Sequence, residues 1–396
     1  MKIERMITAE DMRKAAKRRL PRVVFDFIEG GVEGEHGIAR NERIFSQCRL
    51  LPRYFVDVSQ RSQKTTVFGR TYDSPFGFCP TGTPDLWRPG AEGLLAETAG
   101  EANLPFLLST AGNNTVEEAT RLARGNLWFQ LYTTRDRAIA DSLIGRAKDC
   151  GVETLVITAD VPVAPNRERN MRNGFSRPLR KTASLVFDGL THPRWTWDYV
   201  CSGGMPLMGS FKAYAPPNAT PDEVADFFGT QLPTPDQTWR DFEHMRKIWP
   251  GNLVIKGVLH PDDARQAAEL GANGLYVSNH GGRQLDSAPA PLEVLPAIRA
   301  AAPEQTIIMD SGFRRGTDML MAMAMGVDIC LLGRAALYSV AAFGRLGAQR
   351  LVSILRREID LNLAQIGCPD IANLDESFVV PPPVIQFGNG RARFEG

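Results

Sequence analysis

A histidine, an aspartate and a lysine each stand where a short apolar run gives way to a polar loop. His280 follows such a run in the sequence SNHGGRQLD, and the two glycines after it leave its ring with little steric cover. Histidine titrates near neutral pH, so this position suits a general base. Asp160 could orient and stabilise a protonated His280 if the fold brings the two together, whereas the alternative for Asp160 is a helix or turn cap.

Lys256 ends the otherwise apolar sequence LVIKG, where a lysine rarely has a purely structural role. Two functions compete for this residue. It is either a cation beside an electron-rich cofactor or the Schiff-base nucleophile of an aldolase. The aldolase interpretation leaves the cluster His280–Arg283 without a function.

Two loops combine glycine with arginine in a pattern typical of phosphate binding. They are DSGFRRG, which begins at Asp310 and contains Gly312, and LLGR, which ends at Gly333 and Arg334. Glycine lets the backbone approach a phosphate, and the helix that follows presents amide donors. Arg314 and Arg334 can add charge-assisted hydrogen bonds. The alternative is a pair of tight turns with surface arginines.

Arg167 and Arg283 suit a different ligand, because two arginines can hold a small carboxylate through paired hydrogen bonds. Four more arginines crowd near Arg167, so the local sequence supports Arg283 more strongly. The sequence has no GxGxxG motif, no Walker motif, no CxxC pair and no metal-ligand constellation. No metal site is expected.

Eight apolar runs position these groups. They span Phe76–Pro80, Phe106–Ser109, Leu127–Tyr132, Thr154–Asp160, Leu253–Gly257, Gly274–Asn279, Thr306–Asp310 and Ile329–Gly333. Most are continuously apolar rather than alternating, which is typical of parallel strands covered by helices. Helical stretches follow at Gly90–Ala102, Thr115–Leu122, Arg135–Cys150, Pro261–Leu270, Pro291–Ala301 and Gly316–Gly326. This alternation predicts an α/β fold, a closed (β/α)8 TIM barrel.

In such barrels the active site lies at the carboxyl ends of the strands. Further polar or turn-forming residues stand at these ends, and packing hardly explains their concentration. They are Pro80, Thr81, Gly82, Ser109, Gln130, Tyr132, Thr158, Ser278 and Asp310.

Three segments do not follow the simple alternation of strand and helix. Met319–Met325 alternates methionine with leucine or alanine like a strand, but these are strong helix formers and we predict a buried helix. Residues 1–50 predict a helical cap, clearest over Ala15–Ile28. Residues 176–246 form a long insertion after the fourth strand, mixing basic and aromatic residues, and their pattern does not require an amphipathic helix.

The bulk composition sets the class of protein. The chain has 396 residues, of which 43% are hydrophobic and 23% charged, and its net charge is +1. These values predict a soluble globular protein without a nucleic-acid partner. We expect one domain over residues 1–380. The last residues, 381–396, read PPPVIQFGNGRARFEG and predict an extended, partly mobile tail. No secretory signal and no run of 18 apolar residues occurs, so we expect a cytoplasmic protein whose six scattered cysteines are reduced.

Taken together, these motifs resemble the FMN-dependent 2-hydroxy-acid oxidase and dehydrogenase family. The resemblance runs from about Ile7 to about Leu374, and its most specific pieces are SNHGGRQLD, KGV, FQLY and the pair DSGFRRG and LLGR. It is closest to the mandelate dehydrogenase branch, through PTG at Pro80–Gly82, HPRW at His192–Trp195 and LAQIGCPDI at Leu363–Ile371.

The resemblance implies FMN as cofactor and a role for each matching residue. His280 would be the base, Asp160 would stabilise its imidazolium, and Lys256 would face the flavin edge that gains negative charge. The substrate would be bound by Tyr132, Arg167 and Arg283. The flavin ring or ribityl chain would contact Pro80, Thr81, Gly82, Ser109, Gln130, Thr158, Ser278 and Asp310, and the phosphate would contact Gly312, Arg314, Gly333 and Arg334.

Three departures from the family pattern bear on the substrate. Phe27 stands where the family usually has a tyrosine whose hydroxyl touches the substrate carboxylate. Ala111 replaces a bulky tryptophan of the short-chain glycolate oxidases, which favours an aromatic or long-chain substrate. Gly82 replaces the alanine common in oxidases, as in dehydrogenases that reduce a quinone or another carrier.

The expected function is FMN-dependent oxidation of a bulky, mandelate-like (S)-2-hydroxy acid to the 2-oxo acid. The alternatives are a lactate or other 2-hydroxy-acid oxidase or dehydrogenase with a substrate altered by Phe27, a flavin protein without redox activity, and the Lys256 aldolase. The resemblance also implies a homo-oligomer, commonly a tetramer. In the mandelate dehydrogenase branch the segment corresponding to 176–246 attaches the enzyme to the membrane. This segment therefore has two possible roles, peripheral contact with the inner face of the membrane or a disordered, soluble lid over the site.

Overall fold

Eight parallel strands form a closed barrel in the computed structural model, which describes residues 2–175, 182–388 and 391–395. The strands are β1 (Phe76–Phe78), β2 (Phe106–Ser109), β3 (Leu127–Tyr132), β4 (Thr154–Thr158), β5 (Asn252–Val258), β6 (Gly274–Val277), β7 (Thr306–Met309) and β8 (Ile329–Leu332). The barrel closes where Cys330 of β8 pairs with Phe76 of β1. The predicted barrel and all eight strands are confirmed. Several predicted runs extend one or two residues past the strand, because those residues turn into the site.

The strands are apolar on both faces for two separate reasons. One set of side chains fills the barrel interior, including Leu107, Val156, Val254, Ile308 and Leu331. The other set packs outward against the helices in a larger core. Both sets are buried, so the runs read as continuously apolar rather than alternating.

Sixteen α-helices are assigned within the described residues. They are α1 (Ala9–Arg19), α2 (Arg22–Glu29), α3 (His36–Gln47), α4 (Ala91–Glu101), α5 (Val116–Leu122), α6 (Arg137–Asp149), α7 (Glu168–Arg172), α8 (Ala183–Thr191), α9 (Pro193–Cys201), α10 (Pro221–Gln231), α11 (Trp239–Ile248), α12 (Pro261–Glu269), α13 (Pro291–Ala301), α14 (Gly316–Ala324), α15 (Arg334–Phe343) and α16 (Arg345–Ile366). The methionine-rich stretch lies mostly in α14, and Met319 and Leu320 are fully buried, so the predicted buried helix is confirmed.

The N-terminal cap is helical as predicted, but the helical pattern over Ala15–Ile28 is not one helix. α1 ends before Leu20, and α2 begins after Pro21. Proline cannot continue a helix because it lacks a backbone donor, and it disfavours the helical conformation of the preceding residue. The break turns α2 so that Val24, Phe25 and Phe27 are buried.

The described part of the insertion contains the helices α8 to α11, although its hydrophobic pattern does not require an amphipathic helix. α8, α10 and α11 begin after Thr182, Thr220 and Thr238, and the latter two form capping boxes with Glu223 and Asp241. A threonine followed three residues later by an acidic residue marks the start of a helix, and this spacing predicts these helices where the hydrophobic pattern does not. The basic residues Arg177, Arg180 and Lys181 lie outside the described residues.

The tail contains strands rather than a single extended segment. Val379–Val380 pairs with Arg49–Leu50, and Val384–Gly388 forms a hairpin with Arg391–Glu395. Residues 381–383 are not part of a regular element. No helix in the described part of the chain has both the length and the apolar character needed to span a membrane.

Candidate active site

A cavity of about 460 Å³ opens where the carboxyl ends of the strands meet, as the barrel topology predicts. Most of the predicted site residues line it. They are Pro80, Thr81, Gly82, Gln130, Tyr132, Thr158, Arg167, Lys256, His280, Arg283, Asp310, Gly312, Arg314, Gly333 and Arg334.

The other three predicted residues, Ser109, Ser278 and Asp160, support this lining from behind. The Ser109 hydroxyl donates to Gln130 Oε1 (2.7 Å), and Gln130 Nε2 donates to the Thr158 hydroxyl (2.8 Å), so a polar ladder crosses three adjacent strand ends. Ser278 Oγ lies 3.3 Å from Lys256 Nζ and accepts from the backbone N–H of His280 at 3.0 Å. These bonds fix the rotamers of the groups that face the cavity.

The structure brings His280 and Asp160 together. Nδ1 of His280 lies 3.0 and 3.1 Å from the two carboxylate oxygens of Asp160. A proton on Nδ1 satisfies this contact and leaves the lone pair on Nε2. Asp160 fits because residue 257 is a glycine with φ +100°, where a Cβ would lie 2.5 Å from the Asp160 Cβ.

The electrostatics keep this imidazole neutral near pH 7. Burial lowers the pKa of His280, Asp160 opposes that effect and Lys256 adds to it, and the result lies below the ordinary value of 6.5. Burial would raise the pKa of Asp160, but Lys256 and His280 outweigh it, so this pKa is lowered. A neutral histidine held by an ionised carboxylate is the form that can accept a proton.

Lys256 is buried within the same group of residues. Its Nζ lies 3.9 Å from Asp160 Oδ2 and 5.1 Å from the centre of the Tyr276 ring. Burial would lower its pKa, but Asp160 and Asp310 raise it above the ordinary lysine value. The side chain is therefore an ammonium ion, which is a poor Schiff-base nucleophile. A protonated lysine cannot attack a carbonyl group, so this charge state argues against the aldolase interpretation.

Two arginines that line the cavity lie against Phe27. The guanidinium carbons of Arg167 and Arg283 lie 6.0 and 5.3 Å from the centre of its ring. Arg283 also donates to the carbonyl of Gly30 at 2.6 Å. The buried Nε of Arg167 has no hydrogen-bond partner among the described residues, and burial lowers the pKa of Arg167. A carboxylate in the cavity would supply the missing acceptor.

An aromatic wall stands beside this cationic region. Phe27 stacks on Phe175 with ring centres 4.3 Å apart and lies 6.1 Å from Trp87. Phe228 and Leu232, which belong to the insertion, also line the cavity. Sequence reasoning missed Trp87, Phe228, Leu232 and Pro233. For the last three, only the docking of α10 shows which apolar residues in and just after this helix reach the site.

The first glycine–arginine loop already uses its amides within the protein. The amides of Arg314, Arg315 and Gly316, at the start of α14, already donate to Asp318 and Glu358. Gly312 has φ +98°, and a Cβ there would lie 2.1 Å from the carbonyl oxygen of Asn41, so contact with α3 requires this glycine. Three amides near the N-terminus of α14 are therefore already bound to carboxylate side chains.

The second loop keeps its helix end open. No side chain caps α15, and a Cβ on Gly333 would meet only Cys79 Sγ, at 3.9 Å. The Arg334 guanidinium donates to carbonyls of Ile28, Gly30 and Gly281 at 2.8–3.0 Å. Arg314 donates to Glu42 at 2.7 Å. An anion at this end would meet uncapped helix amides beside two arginines.

Comparison with known proteins decides what kind of enzyme this cavity serves. The family model described as FMN-dependent dehydrogenase matches residues 16–381. The chain belongs to this family. FMN is therefore the cofactor of this FMN-dependent dehydrogenase.

Relatives of this dehydrogenase match nearly its whole length. It is 40% identical to the (S)-mandelate dehydrogenase of Pseudomonas putida, over 95% of this chain and 94% of that protein. It is 36% identical to an L-lactate dehydrogenase of Acinetobacter baylyi, over 94% and 97%. A crystal structure described as the monotopic membrane protein (S)-mandelate dehydrogenase is similar with a TM-score of 0.91 at 40% identity, covering 95% of this chain and 100% of that one.

The residues of the cavity fit FMN in chemical terms. The open end of α15 suits a phosphate, and the ladder from Ser109 to Thr158 offers hydrogen-bonding groups to a polar ring or a ribityl chain. Lys256 supplies a buried cation beside them. The dehydrogenase thus has complementary groups at both ends of an FMN-sized ligand.

Proposed function

We propose that this dehydrogenase oxidises an (S)-2-hydroxy acid with an aromatic or other bulky substituent, such as mandelate, to the 2-oxo acid. The observation that carries the proposal is His280, neutral and held by Asp160, beside two arginines and an aromatic wall in one cavity. A base, a carboxylate receptor and an apolar pocket match the three parts of such a substrate.

The proton-accepting step falls to His280. Its Nε2 takes the proton of the substrate hydroxyl as the hydrogen on the 2-carbon leaves with its electron pair to the two-electron acceptor, and Asp160 stabilises the resulting imidazolium. FMN, when bound, supplies the two-electron acceptor for this oxidation. Lys256 provides a positive charge where the electron density of the cofactor increases.

The substrate carboxylate binds to Arg167 and Arg283, and Tyr132 donates a further hydrogen bond. Burial raises the pKa of the Tyr132 phenol, so the hydroxyl keeps its proton. Phe27 has no hydroxyl to offer, but its ring lies against both guanidinium groups and supports their orientation.

The remaining residues hold the cofactor. Residues at six strand ends would hold its ring and ribityl chain, and residues of the last two loops would hold its phosphate. The first group is Pro80, Thr81, Gly82, Ser109, Gln130, Thr158, Ser278 and Asp310, and the second is Gly312, Arg314, Gly333 and Arg334.

The test is a visible absorption spectrum of the purified holoenzyme, followed without oxygen while (S)-mandelate and then (S)-lactate are added. Rapid bleaching by mandelate, with slower bleaching by lactate, is the expected result. Faster bleaching by lactate would instead support the second candidate, a lactate dehydrogenase, which the 36% identity to such an enzyme favours. Flavin bands that survive a wide panel of 2-hydroxy acids would contradict both.

Membrane association of the insertion is a separate part of the proposal. α8 and α9 expose Val186, Phe187, Leu190, Trp197 and Val200, each with more than half of its surface accessible. A contiguous pair of helices with this many exposed apolar side chains suits a lipid interface. The similarity to a structure described as a monotopic membrane protein supports the same assignment.

We therefore propose peripheral attachment through 176–246, with a membrane quinone rather than oxygen as the electron acceptor. Co-flotation with lipid vesicles tests the attachment. Phe187→Ser with Trp197→Ser should reduce the floating fraction, whereas Leu346→Ser, which changes an equally exposed leucine on α16, should not. Equal flotation of both variants and the parent would refute attachment through α8 and α9.

A further inference from the structure

A buried polar cluster adjoins the cavity, and the roles proposed above use only Asp310 from it, as a contact to the cofactor. Cys79 follows β1, Tyr276 lies in β6, and Asp310 follows β7. The Tyr276 hydroxyl donates to Asp310 Oδ2 at 2.9 Å, and the Cys79 thiol lies 3.5 Å from the same oxygen. All three residues are buried, and Cys79 and Asp310 line the cavity itself.

The direction of these hydrogen bonds defines the charge on Asp310. Burial raises the pKa values of the Tyr276 phenol and the Cys79 thiol well above their ordinary values, so both keep their protons. The Ser311 hydroxyl donates to the other carboxylate oxygen at 2.8 Å and accepts from the backbone N–H of Gly281. Asp310 only accepts hydrogen bonds here, which is the pattern of an ionised carboxylate.

Lys256 lies over the ring of Tyr276, whose hydroxyl contacts Asp310. Its ammonium is 5.1 Å from the ring centre, and Asp310 is one of the two carboxylates that stabilise its charge. The cavity wall therefore carries a buried positive charge and a buried negative charge, with Tyr276 in contact with both.

We infer that ionised Asp310, held in place by Tyr276 and Cys79, offsets Lys256 and lowers the reduction potential of the bound FMN. Reduction adds electron density to the cofactor, so a nearby positive charge favours the reduced form and a nearby negative charge opposes it. Asp310 is thus assigned an electrostatic role beyond contact with the cofactor. The inference rests on the proposed placement of FMN in this cavity.

The experiment compares reduction potentials of holoenzymes at pH 8, measured by equilibration with a reference dye. Asp310→Asn removes the charge and keeps the shape. We expect it to favour reduced FMN about tenfold, which is a positive shift of about 30 mV for a two-electron couple. Tyr276→Phe removes one hydrogen bond but keeps the carboxylate charged, so no positive shift is expected.

These two variants separate charge from structure. An unchanged potential in Asp310→Asn would overturn the inference, and so would an equal positive shift in Tyr276→Phe, because a general loosening of the site would then explain both. Tyr72→Phe is the control for losing a buried phenol hydroxyl in the same interior cluster, where it contacts Trp128 instead of the cavity. Its potential should equal that of the parent.

Asp310→Ser replaces Asp310→Asn if the latter does not retain FMN, and the same positive shift is expected. Loss of FMN from both variants would overturn the inference, since the charge would then be needed for binding. A parent protein without FMN in this cavity would overturn the proposed site itself. A parent with FMN and an unaltered potential in the charge-removing variants would refute only the role of Asp310.

Discussion

The two walls of the cavity are built in different ways. His280, Asp160 and Lys256 stand at or just beyond strand ends, where the backbone hydrogen bonds of the barrel fix their positions. The opposite wall is formed by Phe27 from the cap and Phe228 from the insertion, which reach the cavity only through side-chain packing. The first wall carries the proposed base and cation, and the second forms an apolar surface for the substituent of the substrate.

This difference suggests a division of labour between rate and selectivity. A change in the strand-borne wall should reduce turnover of every substrate, because the same base and cation serve each reaction. A change in the packed wall should alter the preference between substrates and leave the chemical groups in place. The following predictions test that division, beginning with the largest expected effect.

His280→Ala should keep its FMN and reduce the rate of flavin reduction by about 10²- to 10⁴-fold, the usual contribution of a positioned base. The loss should be similar for mandelate and lactate. Stopped-flow bleaching under anaerobic conditions measures both rates. His244→Ala is the control, because that ring is half exposed and pairs with Asp141 at the surface. Fast bleaching in His280→Ala would rule out the base.

Arg167→Met should weaken substrate binding about 10- to 150-fold, since a hydrogen bond to a charged group contributes about 1.5–3 kcal/mol. The buried Nε without a partner among the described residues is the reason to expect an effect at the upper end. The measurement is the substrate concentration for half-maximal bleaching. Arg172→Met, which changes an exposed arginine paired with Glu168 at the end of the helix that Arg167 precedes, should leave it unchanged. Equal effects of the two variants would refute the carboxylate role.

Phe228→Ala should lower kcat/KM for mandelate about tenfold relative to lactate, because the larger substituent loses apolar contact. Phe227→Ala changes the neighbouring residue of the same helix, which does not line the cavity, and should preserve the ratio. A uniform fall for both substrates in Phe228→Ala would contradict the proposed division between the walls.

The pH dependence gives the smallest and most specific test. The pKa of His280 is lowered, so its neutral, proton-accepting form persists to more acidic pH than for an ordinary histidine. The value of kcat/KM should therefore rise with pH through an apparent pKa below 6.5 and remain level above it. An acidic limb centred above 6.5 would show that Asp160, and not burial, dominates the environment of the base.

The strand-borne wall could be predicted from the sequence because the barrel topology determines where the residues at the strand ends lie. Once eight apolar runs are recognised, topology alone places Gln130, Thr158, Lys256 and His280 around one opening. The chemistry of each residue then suggests a role. Knowledge of the distances is not needed for that step.

The packed wall could not be predicted in the same way. Which face of α10 meets the barrel depends on contacts with residues distant in sequence, so Phe228 could not be distinguished from Phe227. Gly312 was associated with a phosphate, whereas the structure shows that the carbonyl of Asn41 requires it. The sequence marks Cys79 only as one of six scattered, reduced cysteines, and the fold brings it to Asp310 and Tyr276.

The contacts of Arg334 with the cap have a consequence for how the enzyme is made. Its guanidinium joins the last barrel unit to the carbonyls of Ile28 and Gly30, across separations of 306 and 304 residues. These carbonyls leave the ribosome first, and their partner leaves it only after the eighth strand. The pocket is therefore complete only after the last unit of the barrel has been synthesised and has folded against the N-terminal cap.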